Sequence, residues 1–211
     1  MSCTIEVQDG MKITAFDSEL EYIRKNNLDF LLSEHNEESD PSYLDEFAPL
    51  IDKYNLRNKG NRRYASLLDK LDYKIDNSSP VLTYNPEKCI KCFRCVKGCH
   101  EIQGKEVLSM AQRGVKSYII AGFDKWAESE CDGCGECIQL CPTGAIVEKP
   151  NREIIDVNNI DKKVISTCPY CGVGCQIDIW VKDNKIMRCN GYEEVSPNYG
   201  RLCVKGRFGY Q

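Results

Sequence analysis

Apolar and polar residues alternate over Cys3-Thr4-Ile5-Glu6-Val7 and again over Met11-Lys12-Ile13-Thr14, with the turn pair Asp9-Gly10 between them, which predicts an N-terminal β-hairpin. The apolar period then lengthens. Leu20, Ile23, Leu28, Leu31 and Leu32 share one face of a helix that would start at Ser18 as N-cap, with Glu21 closing a capping box, and end near Glu34. Tyr43, Phe47, Leu50, Ile51 and Tyr54 repeat that spacing, and Tyr64 to Leu71 predict one more short helix. The stretches between them are polar: 36–41 is acidic and broken by Pro41, 58–63 is basic, and 76–80 has the composition of a linker. Their charge runs are read as solvated helix faces.

From Val81 onward the pattern is one of short strands. Val81 to Tyr84 predicts a strand. Val107 to Met110 and Ser117 to Ile120 flank Arg113-Gly114 as a second hairpin, and Ala145 to Val147 predict a closing strand. After a polar connector over 151–162, Val164 to Thr167, Ile177 to Val181 and Lys185 to Arg188 predict three more strands, the last two joined by the turn Asp183-Asn184. The expected class is therefore α+β, in three domains: 1–80 as hairpin and helices, 81–150, and a small β-rich unit over 163–211.

Cysteine changes this picture most. The chain has 211 residues and fourteen cysteines. A disulfide framework fits poorly, because residues after Met1 form no apolar leader and cysteines two residues apart suit metal ligation. No stretch approaches the ~18 apolar residues of a membrane span. A net charge of −4 argues against nucleic acid as a partner. The expectation is a cytoplasmic protein in which metal–thiolate bonds organise loops that burial alone would not fold; only 9% of residues are aromatic.

Two runs, Cys89 to Cys99 and Cys131 to Cys141, share the spacing C-x-x-C-x-x-C-x-x-x-C, and Pro142 follows the second. This is the bacterial-ferredoxin pattern for two [4Fe-4S] clusters, in which three cysteines wrap one cluster and the fourth, past a turn, ligates the other. Cluster A is thus assigned to Cys89, Cys92, Cys95 and Cys141, and cluster B to Cys131, Cys134, Cys137 and Cys99. A lone C-x-x-C would suit zinc; eight cysteines in matched runs do not favour it. A third set, Cys168, Cys171, Cys175 and the distant Cys203, fits zinc or [4Fe-4S]. Gly172 and Gly174 favour iron–sulfur there, because residues without a Cβ let backbone N–H groups approach sulfide. Of the remaining candidates, His100 is expected to hydrogen-bond near cluster B, and Cys189 to be a buried free thiol on a strand.

TCPYCGVGC followed by a hairpin and GRLCVKGRFGY resembles the opening domain of molybdopterin-dependent formate dehydrogenases. GMKIT, LLSEH, SSPVLTYNPEKCIKCFRCV, HEIQG and CPTGAI resemble the large iron–sulfur subunit of NADH dehydrogenase and the alpha chain of NAD-dependent formate dehydrogenase. The resemblance implies that Cys168, Cys171, Cys175 and Cys203 hold a [4Fe-4S] cluster, and that Lys205 matches a lysine assisting electron passage between cluster and pterin; the bland alternative is a surface lysine. The chain departs from the family in three ways. Cys3 stands where the last ligand of a [2Fe-2S] domain would be and is expected to be a remnant. His35 matches the histidine of a His-Cys₃ site whose cysteines are absent, so a surface histidine is expected. The family's pterin-binding body has no counterpart.

No Walker motif, no G-x-G-x-x-G after a strand and only two histidines leave no evident substrate site. Catalytic residues are therefore expected to be absent. Three [4Fe-4S] clusters in one short chain imply an electron-transfer subunit. It would relay electrons between a flavoprotein subunit that oxidises NAD(P)H and a second redox subunit: a formate dehydrogenase catalytic subunit, a ferredoxin or an electron-bifurcating flavoprotein. The alternatives are a split front portion of a molybdenum or tungsten formate dehydrogenase, and a zinc-stabilised scaffold.

Overall fold

The structure, a computed structural model, describes residues 5–36, 46–68, 71–149 and 160–211. The first helix, α1, spans Ser18–Leu32. Its N-cap is Asp17, one residue before the expected Ser18, with the Leu20 N–H donating to Asp17 Oδ1 at 2.8 Å. That places Glu21 outside the capping-box position. Its carboxylate instead accepts from the Tyr54 hydroxyl at 2.6 Å and from Arg24 at 2.7 Å. The second helix, α2, is Ala48–Lys53. Leu32 meets Phe47, Ile51 and Leu56 in a small apolar core between the two helices.

Three N-terminal expectations are corrected. Residues 5–14 form no strand, and Val7 and Ile13 are 87% and 80% exposed; a two-stranded hairpin with no surface to bury is marginal in water. Residues 64–67 are irregular rather than helical, since Ser66 Oγ accepts from the Leu68 N–H at 3.3 Å and so offers the backbone a local alternative. His35 is buried, not at the surface: at 7% exposure it packs edge-on to Phe47, ring centroids 5.2 Å apart. Cys3, Tyr43, residues 69–70 and most of the connector lie outside the described residues.

The middle of the chain follows the strand pattern closely. Strand β1 (Leu82–Tyr84) pairs antiparallel with β4 (Ile146–Glu148), and β2 (Leu108–Ala111) with β3 (Tyr118–Ala121). Between β1 and β2 lies α3 (Arg94–Lys97), running into one π-helical turn over Gly98–Ile102; α4 (Glu136–Leu140) precedes β4. The Ile119 N–H donates to the Tyr84 hydroxyl at 3.0 Å, tying the two hairpins together over a core that includes Leu82, Leu108, Trp126, Ile138 and Ile146.

The C-terminal part is a three-stranded antiparallel sheet in the order β5 (Lys162–Thr167), β6 (Gln176–Lys182), β7 (Lys185–Gly191), followed by the short helix α5 (Val204–Phe208). Trp180 on β6 is covered by Lys163, its Nζ 4.0 Å from the ring centroid, and by Arg188. Among the described residues no helix is long and apolar enough to cross a membrane.

Candidate metal centres

Each run of cysteines begins as a loop that cannot be regular. Lys91 and Phe93 take φ of 57° and 65°, and the equivalent positions of the second run, Gly133 and Gly135, take 71° and 76°. Left-handed residues at these points turn successive N–H groups inward, toward sulfur. The Lys91 N–H donates to Cys89 Sγ at 3.4 Å. Backbone N–H groups of Arg94, Gly133 and Glu136 likewise face the sulfurs of Cys92, Cys131 and Cys134. The second run uses glycine where the strain would fall; the first bears it with a lysine and a phenylalanine.

The third cysteine of each run sits on a short helix, Cys95 on α3 and Cys137 on α4, and the fourth emerges beyond that helix. Cys89, Cys92, Cys95 and Cys141 line one cavity, walled by Tyr84, Ile119 and Ile146. Cys99, Cys131, Cys134 and Cys137 line another, walled by Leu82, Leu108 and Trp126. The fourth cysteine of each run therefore lines the same cavity as the first three of the other.

Burial pushes the Cys89 thiol up to about 11, opposed by the Lys91 N–H and the Tyr84 hydroxyl. Burial, and then the neighbouring thiols, raise Cys95 and Cys137 further. Four crowded, desolvated thiols become thiolates only with cationic metal among them. The donor set fits an iron–sulfur cluster in a second respect. The Trp126 indole N–H is buried in the second cavity and directed at the Cys131 thiol. Thiolate or sulfide sulfur would supply its acceptor. His100 Nε2 lies 2.7 Å from the Leu108 carbonyl oxygen, pinning the turn that carries Cys99 to β2.

The third set gathers at the open end of the sheet. The Cys168 N–H donates to the Cys175 carbonyl at 2.8 Å, closing the loop between β5 and β6, and Cys203 is the N-cap residue of α5. Partial burial, and then the thiols of Cys168, Cys171 and Cys203, push the Cys175 thiol up, so those three lie within electrostatic reach of Cys175. Cys171 and Cys203 are exposed; Cys168 is buried. Gly174, at φ 73°, makes the loop's reversal. Lys205 is exposed, with no side-chain hydrogen bond or ion pair among the described residues. Cys189 is buried against Cys168, Ile177 and Leu202, and burial pushes its thiol up to about 11.

The comparisons with known proteins follow the same division. Residues 79–147 match the family model of the NADH-quinone oxidoreductase subunit 3 ferredoxin-like domain, and residues 161–211 that of the molybdopterin oxidoreductase Fe4S4 domain. By its two domains the chain is similar to NADH-quinone oxidoreductases and molybdopterin oxidoreductases. An NADH-quinone oxidoreductase chain of Rhizobium meliloti (strain 1021) is 30% identical over 214 residues, covering 99% of this chain and 24% of the relative. A putative formate dehydrogenase of Staphylococcus haemolyticus (strain JCSC1435) is 28% identical over 170 residues, covering 62% of this chain and 17% of the relative. The chain thus spans a quarter or less of the length of these curated relatives. A chain of an NAD⁺-reducing [NiFe]-hydrogenase, seen in a crystal structure of the H₂-reduced state, shares the fold: TM-score 0.61 at 24% identity, over 70% of this chain and 63% of that one. The resemblance read from the motifs is borne out, as is the mixed helix-and-strand class with ferredoxin-like Fe4S4 domains.

What the motifs did not disclose is a set of buried charges where the C-terminal part meets the ferredoxin-like part. Arg188 on β7 faces Glu148 on β4, Nε to Oε1 3.2 Å, both side chains 1% exposed. Arg207 on α5 donates through Nε to the Cys134 carbonyl at 2.9 Å and through Nη2 to Gln139 Oε1 at 2.8 Å, with Glu136 Oε2 3.9 Å away. A single sequence gives little sign of a buried arginine. The one available hint was Gly135, a glycine beside a ligand, which marks close approach by another group.

Proposed function

We propose that the chain is an iron–sulfur electron-transfer subunit carrying three [4Fe-4S] clusters: one on Cys89, Cys92, Cys95 and Cys141, one on Cys99, Cys131, Cys134 and Cys137, and one on Cys168, Cys171, Cys175 and Cys203. The observation that carries it is the crossing of the two runs, each cavity being lined by three cysteines of one run and the fourth of the other. The domain division is 1–80, 81–150 and 163–211, the first part carrying no cofactor.

The chain passes single electrons in the cytoplasm between a flavoprotein subunit that oxidises NAD(P)H and a second redox subunit, either a formate dehydrogenase catalytic subunit or another redox protein such as a ferredoxin. Names among the relatives support the NADH and formate ends. When bound, each cluster supplies a one-electron couple. The polypeptide supplies N–H donors to the sulfurs, apolar walls that exclude water and fixed spacing between sites. The match of residues 161–211 to a molybdopterin oxidoreductase domain favours one second reading, the front part of a split molybdenum or tungsten enzyme whose pterin subunit docks at the Lys205 face.

Anaerobic purification followed by metal and sulfide analysis tests this. About twelve irons with matching sulfide are expected, four for each of three clusters. About eight would remove the C-terminal cluster. Stoichiometric zinc without sulfide would overturn the relay, and copurifying molybdenum or tungsten would move the assignment to the split enzyme.

A further inference from the structure

Helix α5 lies between the second and third cysteine sites and touches both. At its start, the Cys203 carbonyl accepts from the Arg207 N–H at 3.1 Å. At its end, the Arg207 side chain reaches the Cys134 carbonyl and Gln139 on α4. The fit is close on both sides. A Cβ at Gly135 would stand 2.2 Å from Arg207 Cδ, and a Cβ at Gly206 would stand 3.5 Å from Cys168 Sγ. Arg207 is 1% exposed although its Nη1 has no hydrogen-bond partner among the described residues. Burying a guanidinium is unfavourable, and the cost is offset here by its hydrogen bonds to Cys134 and Gln139 and by the nearby carboxylates of Glu136 and Glu148.

We infer that Arg207 is the positioning residue that couples the second and third cysteine sites, its backbone bonded to ligand residue Cys203 and its side chain to ligand residue Cys134. The inference rests on the three-cluster reading above and adds the connection between two of the sites. The path from the backbone of Cys203 through N–H···O=C, along the arginine side chain, and through Nε–H···O=C to the backbone of Cys134 consists of covalent and hydrogen bonds throughout. Electron tunnelling decays more slowly along such a path than across a gap. With clusters bound at both sites, the path would serve transfer of one electron from one to the other, with no bond made or broken and no proton moved. The guanidinium charge also stands beside Cys134, where it stabilises the reduced, more negative state of the second site. Glu136 Oε2 lies 3.9 Å from Nη2 and Glu148 is also within electrostatic reach, so that charge is shared between the Cys134 side and these carboxylates.

The test uses the full chain, purified anaerobically, with Arg207→Met and Arg207→Lys. Iron content, midpoint potentials and the magnetic interaction between reduced clusters are read by chemical analysis and EPR. With wild-type iron, Arg207→Met should shift the one-electron equilibrium of the second site about tenfold toward the oxidised form, ~59 mV for a one-electron couple. The signal of that site is identified as the one altered by Cys134→Ser. Arg207→Met should also change the magnetic interaction between this site and the third. Arg207→Lys keeps the charge but cannot bridge Cys134 and Gln139, so it should recover most of the potential and little of the interaction. Wild-type potentials and interaction in Arg207→Met with all clusters present would overturn the inference and leave the relay reading intact. Loss of clusters in both variants would assign Arg207 a purely structural role and overturn it as well. A wild-type protein without a third cluster would instead overturn the relay reading.

Discussion

At the scale of single residues, the two ferredoxin-like sites are near copies with unequal details. Cys89 has a tyrosine hydroxyl beside it and Cys131 an indole N–H, each from a residue in the wall of its cavity. The Tyr84 hydroxyl accepts from the Ile119 N–H and keeps its own O–H for Cys89, and the Trp126 N–H is directed at Cys131. Both are donors to ligand sulfur, and such donors raise a cluster's potential. Trp126→Phe keeps most of the packing against Tyr84 and removes the N–H. The midpoint potential of the site containing Cys131 should fall, with iron content unchanged, in an EPR-monitored titration; an unchanged potential would mean the indole points away from the cluster. The partition of eight cysteines between two cavities was legible in the sequence because a three-residue spacing is a geometric instruction. Trp126 was not, because nothing in the local text places an indole 36 residues after Ile90 beside Cys131.

At the scale of elements, alternation located the strands well wherever a partner strand was available to pair with them, β5 included although all six of its residues are exposed. β1 with β4, β2 with β3, and β5 and β6 fall within one or two residues of the expected segments, and β7 runs three residues past its expected end. The N-terminal alternation over Ile5 to Thr14 has the same local quality but no surface to lie on, so the same pattern yields no strand. Helix α1 illustrates the converse. Its apolar face was readable, but not the charge contact that anchors α2. The Tyr54 hydroxyl, then Arg24, hold the Glu21 carboxyl down at about 2, below an ordinary value of 4.5. A carboxyl depressed in the folded state contributes stability that is whole above its unfolded value and is lost as pH falls toward the folded one. The contact between α1 and α2 should thus loosen between pH 4.5 and about 2 and be indifferent to pH above that window. Tyr54 ring resonances report it by NMR: they should titrate within the window in the wild type and not in Glu21→Gln. A Tyr54 titration centred at 4.5 would contradict the contact.

At the scale of the whole molecule, two arginines hold the C-terminal sheet and helix to the ferredoxin-like part, and they do so with different partners. Arg207 bonds to a carbonyl and an amide, whereas Arg188 meets a carboxylate, Glu148, across an interface that excludes water from both. A buried ion pair adds little over well-packed apolar groups, yet removing one partner strands the other charge and costs about 3–5 kcal/mol. Placing such a pair between two parts of a chain therefore makes their docking all-or-none rather than merely tight. The two tryptophans report on the two sides, Trp126 in the ferredoxin-like core and Trp180 on β6, where Arg188 itself covers the ring. In the wild type, denaturant transitions followed at each tryptophan, with the other replaced by phenylalanine, should coincide. Arg188→Met should move the Trp180 transition to lower denaturant and away from that of Trp126, by a free energy on the order of 3–5 kcal/mol. Arg188→Met combined with Glu148→Leu should bring the transitions back together, because neither charge is then left without its partner. If the single variant unfolds in one coincident step at the wild-type midpoint, the interface is held by packing alone, and the spacing between the second and third sites then depends on Arg207 without help from Arg188.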